Sequence, residues 1–144
     1  MTDTLEEIVK HLRAVYSNTT IHHILRPRNN KEIPNADGFG ESRSGCGENM
    51  KIWLQVRNGV IWDAGFWTDG CAATIACGSM VTEMIQDKTI TQAMKLTASD
   101  IAAALGNLPD GNLHCAELAA KTLQTALKDC LIMHQQPWKK LYRK

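Results

Sequence analysis

Three of the five cysteines stand where a thiol could bind metal or carry sulfur. Cys46 lies between two glycines, Cys71 follows Asp69-Gly70, and Cys115 follows His114. The thiolate is the form that ligates metal or attacks sulfur, and glycine neighbours let the backbone approach a bulky ligand. The spacings of 25 and 44 residues match no zinc-ribbon template, and there is no Cys-x-x-Cys pair. On residue types alone, a shared metal site and a set of small packed thiols stand about level. A thiol-redox enzyme would need a resolving cysteine beside a reactive one, and no pair has that spacing. A structural zinc module is weaker still, because 144 residues can bury a core without metal.

The other two cysteines read as packing. Cys77 lies six residues past Cys71, which on a helix turns it about 120° away. Cys130 falls among Leu127, Leu131 and Met133. His22 and His23 occupy a polar stretch ahead of Pro27 and read as surface or supporting residues before ligands. Trp53, Trp62 and Trp67 occupy strand positions and read as sheet packing or a partner-facing surface.

The elements that must position these residues follow from periodicity. Leu5, Ile8, Leu12 and Val15 recur at helical spacing, giving an amphipathic helix over 4–16. Glycines at 38, 40, 45 and 47 suggest a short strand and a loose loop around Cys46. Met50, Ile52, Leu54 and Val56 alternate with Lys51, Trp53, Gln55 and Arg57, as a half-buried strand should. Asn58-Gly59 is a strong hairpin signal, and 60–67 alternates again as the returning strand.

From Cys71 to Gln86 the alternation stops. This Ala- and Met-rich stretch reads as a buried helix whose small residues at 72, 73, 76, 78 and 79 let it lie against the sheet. A short helix over 91–95 follows. Thr97 to Asp100 then resembles a capping signal for a helix over 99–105. After a loop at 106–111, a long helix runs over 113–133 with Leu118, Leu123, Leu127 and Leu131 toward the core. Cys71 and Cys115 thus open helices, where the helix dipole should lower both thiol pKa values. Strands first and helices afterwards give an α+β fold: a small, about three-stranded antiparallel sheet with helices on one face.

Length and composition fit a single domain over 1–144, with 44% hydrophobic and 22% charged residues. A net charge of +1 offers no global field for nucleic acid or membrane. The basic residues at the end of the chain, within a tail over 134–144, read as a solvated terminus. The acidic start Met1-Thr2-Asp3-Thr4-Leu5-Glu6-Glu7 lacks the basic character of a signal peptide, so a cytoplasmic setting with reduced thiols is expected.

From Tyr16 to about Leu131 the sequence resembles the iron–sulfur cluster assembly scaffolds of the IscU/NifU type. The blocks that carry the resemblance are Tyr16-Ser17 with His23, Pro27-Arg28-Asn29, 36–41 (ADGFGE), 45–51 (GCGENMK), 69–76 (DGCAATIA), 79–83 (SMVTE), Gly106-Asn107-Leu108-Pro109 and 113–119 (LHCAELA). The resemblance implies that Cys46, Cys71 and Cys115 hold a labile two-iron, two-sulfur cluster. Fe2+ is supplied separately, a cysteine desulfurase delivers sulfur as persulfide, and the finished cluster passes to apo-proteins. By position Cys115 is the persulfide acceptor, His114 or Glu48 is the fourth ligand, and zinc (Zn2+) can occupy the cluster-free site. The same resemblance leaves open whether the cluster sits on one protomer or is shared in a homodimer.

Three thiolates plus a carboxylate or imidazole bind less firmly than four thiolates, which suits transfer. Four departures from the family pattern matter. Glu48 stands where aspartate is usual, and Cys77 where serine is usual. The Leu-Pro-Pro-Val-Lys motif read by an Hsp70-type chaperone appears as Leu108-Pro109-Asp110-Gly111-Asn112, so chaperone-assisted release is not expected. The segment between Cys71 and Cys115 lacks the insertion of the zinc-dependent sulfur-transfer relatives, and His114 is not their arginine. A zinc-bound persulfide shuttle that builds no cluster is the alternative function.

Overall fold

The structure, a computed structural model, describes residues 2–135 of the chain. Its elements are α1 (Thr2–Val15), α2 (Asn18–Leu25), β1 (Gly38–Arg43), β2 (Asn49–Arg57), β3 (Val60–Thr68), α3 (Ala72–Met84), α4 (Ile90–Met94) and α5 (Ala98–Ala104). A 3-10 turn (Asp110–Asn112) then leads into α6 (Leu113–Gln135). Of the expected tail, His134 and Gln135 belong to α6, and 136–144 lies outside the described residues.

The expected α+β architecture is present. The strands form one antiparallel sheet in the order β1-β2-β3, and β2 and β3 meet at a two-residue Asn58-Gly59 turn. Alternation along β2 sends Met50, Ile52 and Leu54 into the core beside Ile61, Ala64 and Phe66 of β3. Against this face lie α3 and α6, with α6 across β1 and β2 and α3 across β3. The small-residue stripe does what its composition implies: a Cβ at Gly78 would come within 2.4 Å of the Phe66 ring. At that distance helix and sheet would have to move apart.

Capping fixes the shorter helices. Thr97 and Asp100 form a reciprocal capping box, so α5 begins one residue earlier than expected. Leu118, Leu123 and Leu127 of α6 are buried as expected, but Leu131 is 39% exposed, since it is the neighbouring Cys130 that packs against Gly38 of β1. Helix α1 forms as expected and touches mainly α2, leaving Leu5, Ile8 and Val15 exposed.

Two features depart from the sequence reading. Helix α2 was not anticipated, because its polar residues hide its period. Ser17 caps it by accepting the Thr20 N–H, and Thr20 is itself buried, donating to the Leu105 carbonyl at 2.7 Å. The outer face of the sheet is also partly covered. Ile33 and Ala36, in the segment before β1, pack on Trp53 and Phe39 as a second small cluster. Trp62 and Trp67 remain exposed on strand β3, each under a cation, Arg57 and Lys51 respectively. Among the described residues, no helix is long and apolar enough to cross a membrane.

Candidate metal centre

Three chain segments meet at one end of the sheet. The first is the turn joining β1 and β2, which carries Cys46. It is closed by the Ser44 N–H to the Glu48 carbonyl at 2.8 Å and by the Glu48 N–H to Ser44 Oγ at 3.1 Å. The second is the exit from β3. Asp69 there accepts the Asn49 N–H at 2.7 Å and the Asn49 side-chain N–H at 2.9 Å, clamping it to the start of β2. That clamp sets Cys71, the N-cap of α3, beside Glu48. The third is the first turn of α6, which brings His114 and Cys115 over the same corner.

Glu48 is the hub. Its Oε1 lies 3.3 Å from His114 Nε2 and 3.6 Å from Cys46 Sγ. Its Oε2 accepts the Cys71 backbone N–H at 3.1 Å and the Thr74 hydroxyl. Gly70 makes room for this, since a Cβ there would lie 2.1 Å from Glu48 Oε2 and 2.8 Å from Thr74 Cβ. Cys115 Sγ lies 3.2 Å from Thr74 Oγ1 and 3.5 Å from His114 Nε2. The donor atoms of Cys46, Glu48 and His114 fall within 4.8 Å of one another, and so do those of Glu48, Cys71 and Cys115. Every residue that the sequence named for the site is thus brought together, in two overlapping sets that share Glu48. Sulfur, nitrogen and oxygen donors so grouped suit tetrahedral zinc or iron in an iron–sulfur cluster.

The thiols are not equivalent. Burial pushes the Cys71 thiol up, but the Thr74 hydroxyl and the N–H groups of Thr74 and Ala73 outweigh it and leave the group below its ordinary value. The expected helix-start effect therefore holds at Cys71. It fails at Cys115: burial drives that thiol up to about 12, the charges of Cys71 and Glu48 push the same way, and the Thr74 hydrogen bond only partly opposes them. Desolvation under the first turn of α6 exceeds what a helix start supplies. Cys46 and Cys71 are exposed and Cys115 is buried. At Glu48, burial raises the pKa, but hydrogen bonds from Thr74, Cys71, His114 and Cys46 together bring it below its ordinary value.

Cys77 and Cys130 are buried core residues as expected, and burial raises the Cys77 thiol strongly. His22 is exposed, but His23 is not the surface residue that its polar neighbours suggest. It is buried, with Nδ1 at 2.6 Å from Ser79 Oγ and Nε2 at 3.6 Å from Glu83 Oε2, away from the thiols. Sequence reasoning passed over Thr74, which touches Glu48, Cys71 and Cys115. Its position three residues after Cys71 on a helix was the available signal. Tyr16 is also drawn close, its hydroxyl pKa raised by burial and then by Cys71, Cys115 and Cys77.

Comparison with known proteins identifies the family. The family model for the NifU-like N-terminal domain matches residues 15–136. The iron-sulfur cluster assembly scaffold protein IscU 1 of Archaeoglobus fulgidus is 44% identical over 116 residues, covering 80% of this chain and 76% of that protein. The iron-sulfur cluster assembly scaffold protein IscU of Aquifex aeolicus is 40% identical over 120 residues, covering 81% and 76%. Among solved structures, a candidate iron-sulfur cluster assembly scaffold for the SUF system from Fervidobacterium islandicum AW-1 superimposes with a TM-score of 0.63. At 23% identity it covers 78% of this chain and 96% of that one.

Proposed function

This chain belongs to the NifU-like N-terminal domain family, and from that premise we propose that it is a scaffold on which an iron–sulfur cluster is built and then handed on. The observation that carries the reading is the convergence of Cys46, Cys71 and Cys115 from three separate segments around Glu48. The cluster is cargo here. Two iron ions bridged by two sulfides would draw on the three thiolates and on His114 or Glu48, leaving one weak position for an acceptor thiolate to displace.

Sulfur arrives from a cysteine desulfurase. A scaffold thiolate attacks the outer sulfur of the donor's persulfide, forming a new persulfide and releasing the donor as thiolate. That sulfur becomes sulfide only with two further electrons, supplied by a reductant outside this chain. The family resemblance gives the acceptor role to Cys115. Its burial and raised pKa make it a poor nucleophile in the free site, and a cation bound beside it would favour the thiolate. Iron before sulfur is therefore the order we propose.

The protein acts as a carrier rather than a catalyst, in a reducing compartment for which the cytoplasm is our reading. Apo iron–sulfur proteins are its acceptors, and release proceeds without an Hsp70-type chaperone. The same donor set would hold zinc, so a zinc-bound persulfide shuttle is the competing function. Anaerobic incubation with Fe2+, cysteine and a desulfurase separates the two. The scaffold reading expects visible absorption and about two irons per site; a protein that stays colourless and retains only zinc would sink it.

A further inference from the structure

Thr74 is fully buried at the centre of the metal centre, and no ligand role is assigned to it. Its hydroxyl touches three of the proposed ligands at once: Glu48 Oε2, Cys115 Sγ at 3.2 Å and Cys71 Sγ at 3.5 Å. A threonine hydroxyl has one proton to give and two lone pairs that accept. It therefore cannot donate to the carboxylate and to a sulfur at the same time. With no cation present, the carboxylate is the stronger acceptor, because a charge-assisted bond outweighs a bond to neutral sulfur.

We propose that Thr74 is a positioning residue that couples the place of Glu48 to the hydrogen bonding of the Cys115 and Cys71 sulfurs. While the site is free, Thr74 holds Glu48 by Oε2, with the Cys71 N–H as second anchor. When Glu48 swings toward a cation, the hydroxyl is free to donate its hydrogen bond to the nearest sulfur, that of Cys115, and keeps its proton. Its single proton then stabilises a bound sulfur in place of a free carboxylate. The geometry supports this exchange because Thr74 is fully buried and packed against Gly70, where even a Cβ would come within 2.8 Å of its Cβ and Cγ2. A rigid donor held among soft ligands is what tunes a metal–sulfur site through its outer contacts.

This inference rests on the metal-centre reading, and its test keeps the two apart. Wild type, Thr74→Val and Thr74→Ser are titrated with Co2+ alone, following the thiolate-to-metal charge-transfer bands and the rate of Co2+ loss to a chelator. Valine keeps the shape and removes only the hydroxyl; serine restores it. We expect wild type and Thr74→Ser to share one spectrum. Thr74→Val should show charge-transfer bands moved to lower energy and Co2+ bound roughly 10-fold to 100-fold more weakly, the usual cost of losing an outer-shell partner. Identical spectra and off-rates for wild type and Thr74→Val would overturn the role of Thr74 while leaving the metal centre standing. No thiolate-to-Co2+ bands in wild type would overturn the metal centre and this inference with it. Should Thr74→Val fail to fold, Thr74→Ala against Thr74→Ser gives the same comparison.

Discussion

Helix α3 carries two polar clusters built from similar parts, and only the first brings thiols to its carboxylate and imidazole. At its start, Cys71 and Thr74 meet Glu48, His114, Cys46 and Cys115. Further along, Ser79 and Glu83 meet His23 and Arg28. Each cluster contains a hydroxyl, an imidazole and a carboxylate. The second is closed: Ser79 Oγ contacts His23 Nδ1 and accepts the Arg28 backbone N–H at 2.7 Å, and Arg28 reaches both Glu83 and His22. Asn29 adds a bond to Thr82 and accepts the Phe66 N–H at 2.9 Å, so this network ties α2 and the chain after it to α3 and the sheet. In the first cluster two thiols are exposed, and the carboxylate divides its oxygens among Cys46, His114, the Cys71 N–H and Thr74. Soft donors at loose ends of elements bind cargo, whereas the same hydroxyl and imidazole with every bond used serve as a clamp.

The sharpest way to break this contrast is to remove one residue from each cluster. Cys71→Ala should abolish a stable cluster after anaerobic reconstitution, with little change in thermal stability, because Cys71 is exposed. His23→Ala should do the reverse, costing about 1–3 kcal/mol through a buried partner left unsatisfied while the folded fraction keeps its iron content. Chemical denaturation together with iron analysis checks both, and a swap of the two phenotypes would end the distinction.

Thiol reactivity resolves the first cluster internally. In the metal-free protein, mass spectrometry after brief iodoacetamide treatment at neutral pH should find Cys46 and Cys71 modified at least about tenfold faster than Cys115, Cys77 and Cys130. Because its pKa is lowered, Cys71 labelling should persist as the pH is dropped below the range in which an ordinary thiol reacts. Fast labelling of Cys115 would show that the first turn of α6 opens readily.

A smaller effect is expected at Glu48. Since this carboxylate is placed to loosen the site, Glu48→Ala should slow cluster loss to an apo-acceptor several-fold, about 1 kcal/mol. Unchanged or faster transfer would remove Glu48 from the release step.

The smallest effect is the pH response of the clamp. Burial lowers the His23 pKa, Arg28 and His22 push the same way, and Glu83 only partly opposes them. The folded value thus lies below the unfolded 6.5, and the unfolded chain takes up the proton first. Stability should be complete above about pH 6.5 and decline as the pH falls, with a slope of at most about 1.4 kcal/mol per pH unit. His23→Gln should flatten that slope; a wild-type curve flat from pH 7 to 5 would contradict the burial argument.

Much of this was legible in the sequence. Alternation from Met50 to Val56 fixed the inward face of β2, Asn58-Gly59 fixed the hairpin, and Thr97 with Asp100 marked the start of α5. These signals are local, because a strand's period or a cap is decided by residues a few positions apart. The contexts of Cys46, Cys71 and Cys115 left a shared site about level with packed thiols, the family resemblance joined them, and the structure brings all three to the same corner with His114 and Glu48. Helix α2 escaped notice because Thr20 and His23 are polar yet buried, satisfied by Leu105 and Ser79 from distant parts of the chain.

What the sequence determined by itself, then, is which residues can ligate and which elements carry them. What only the tertiary structure decided is how each ligand is solvated. Cys71 and Cys115 both open helices and look alike on paper. Packing leaves Cys71 exposed with a lowered pKa and buries Cys115 with its thiol near 12. Thr74 gained its central place for the same reason. Desolvation and hydrogen bonding depend on what arrives from 23 to 66 residues away, and no local pattern records that.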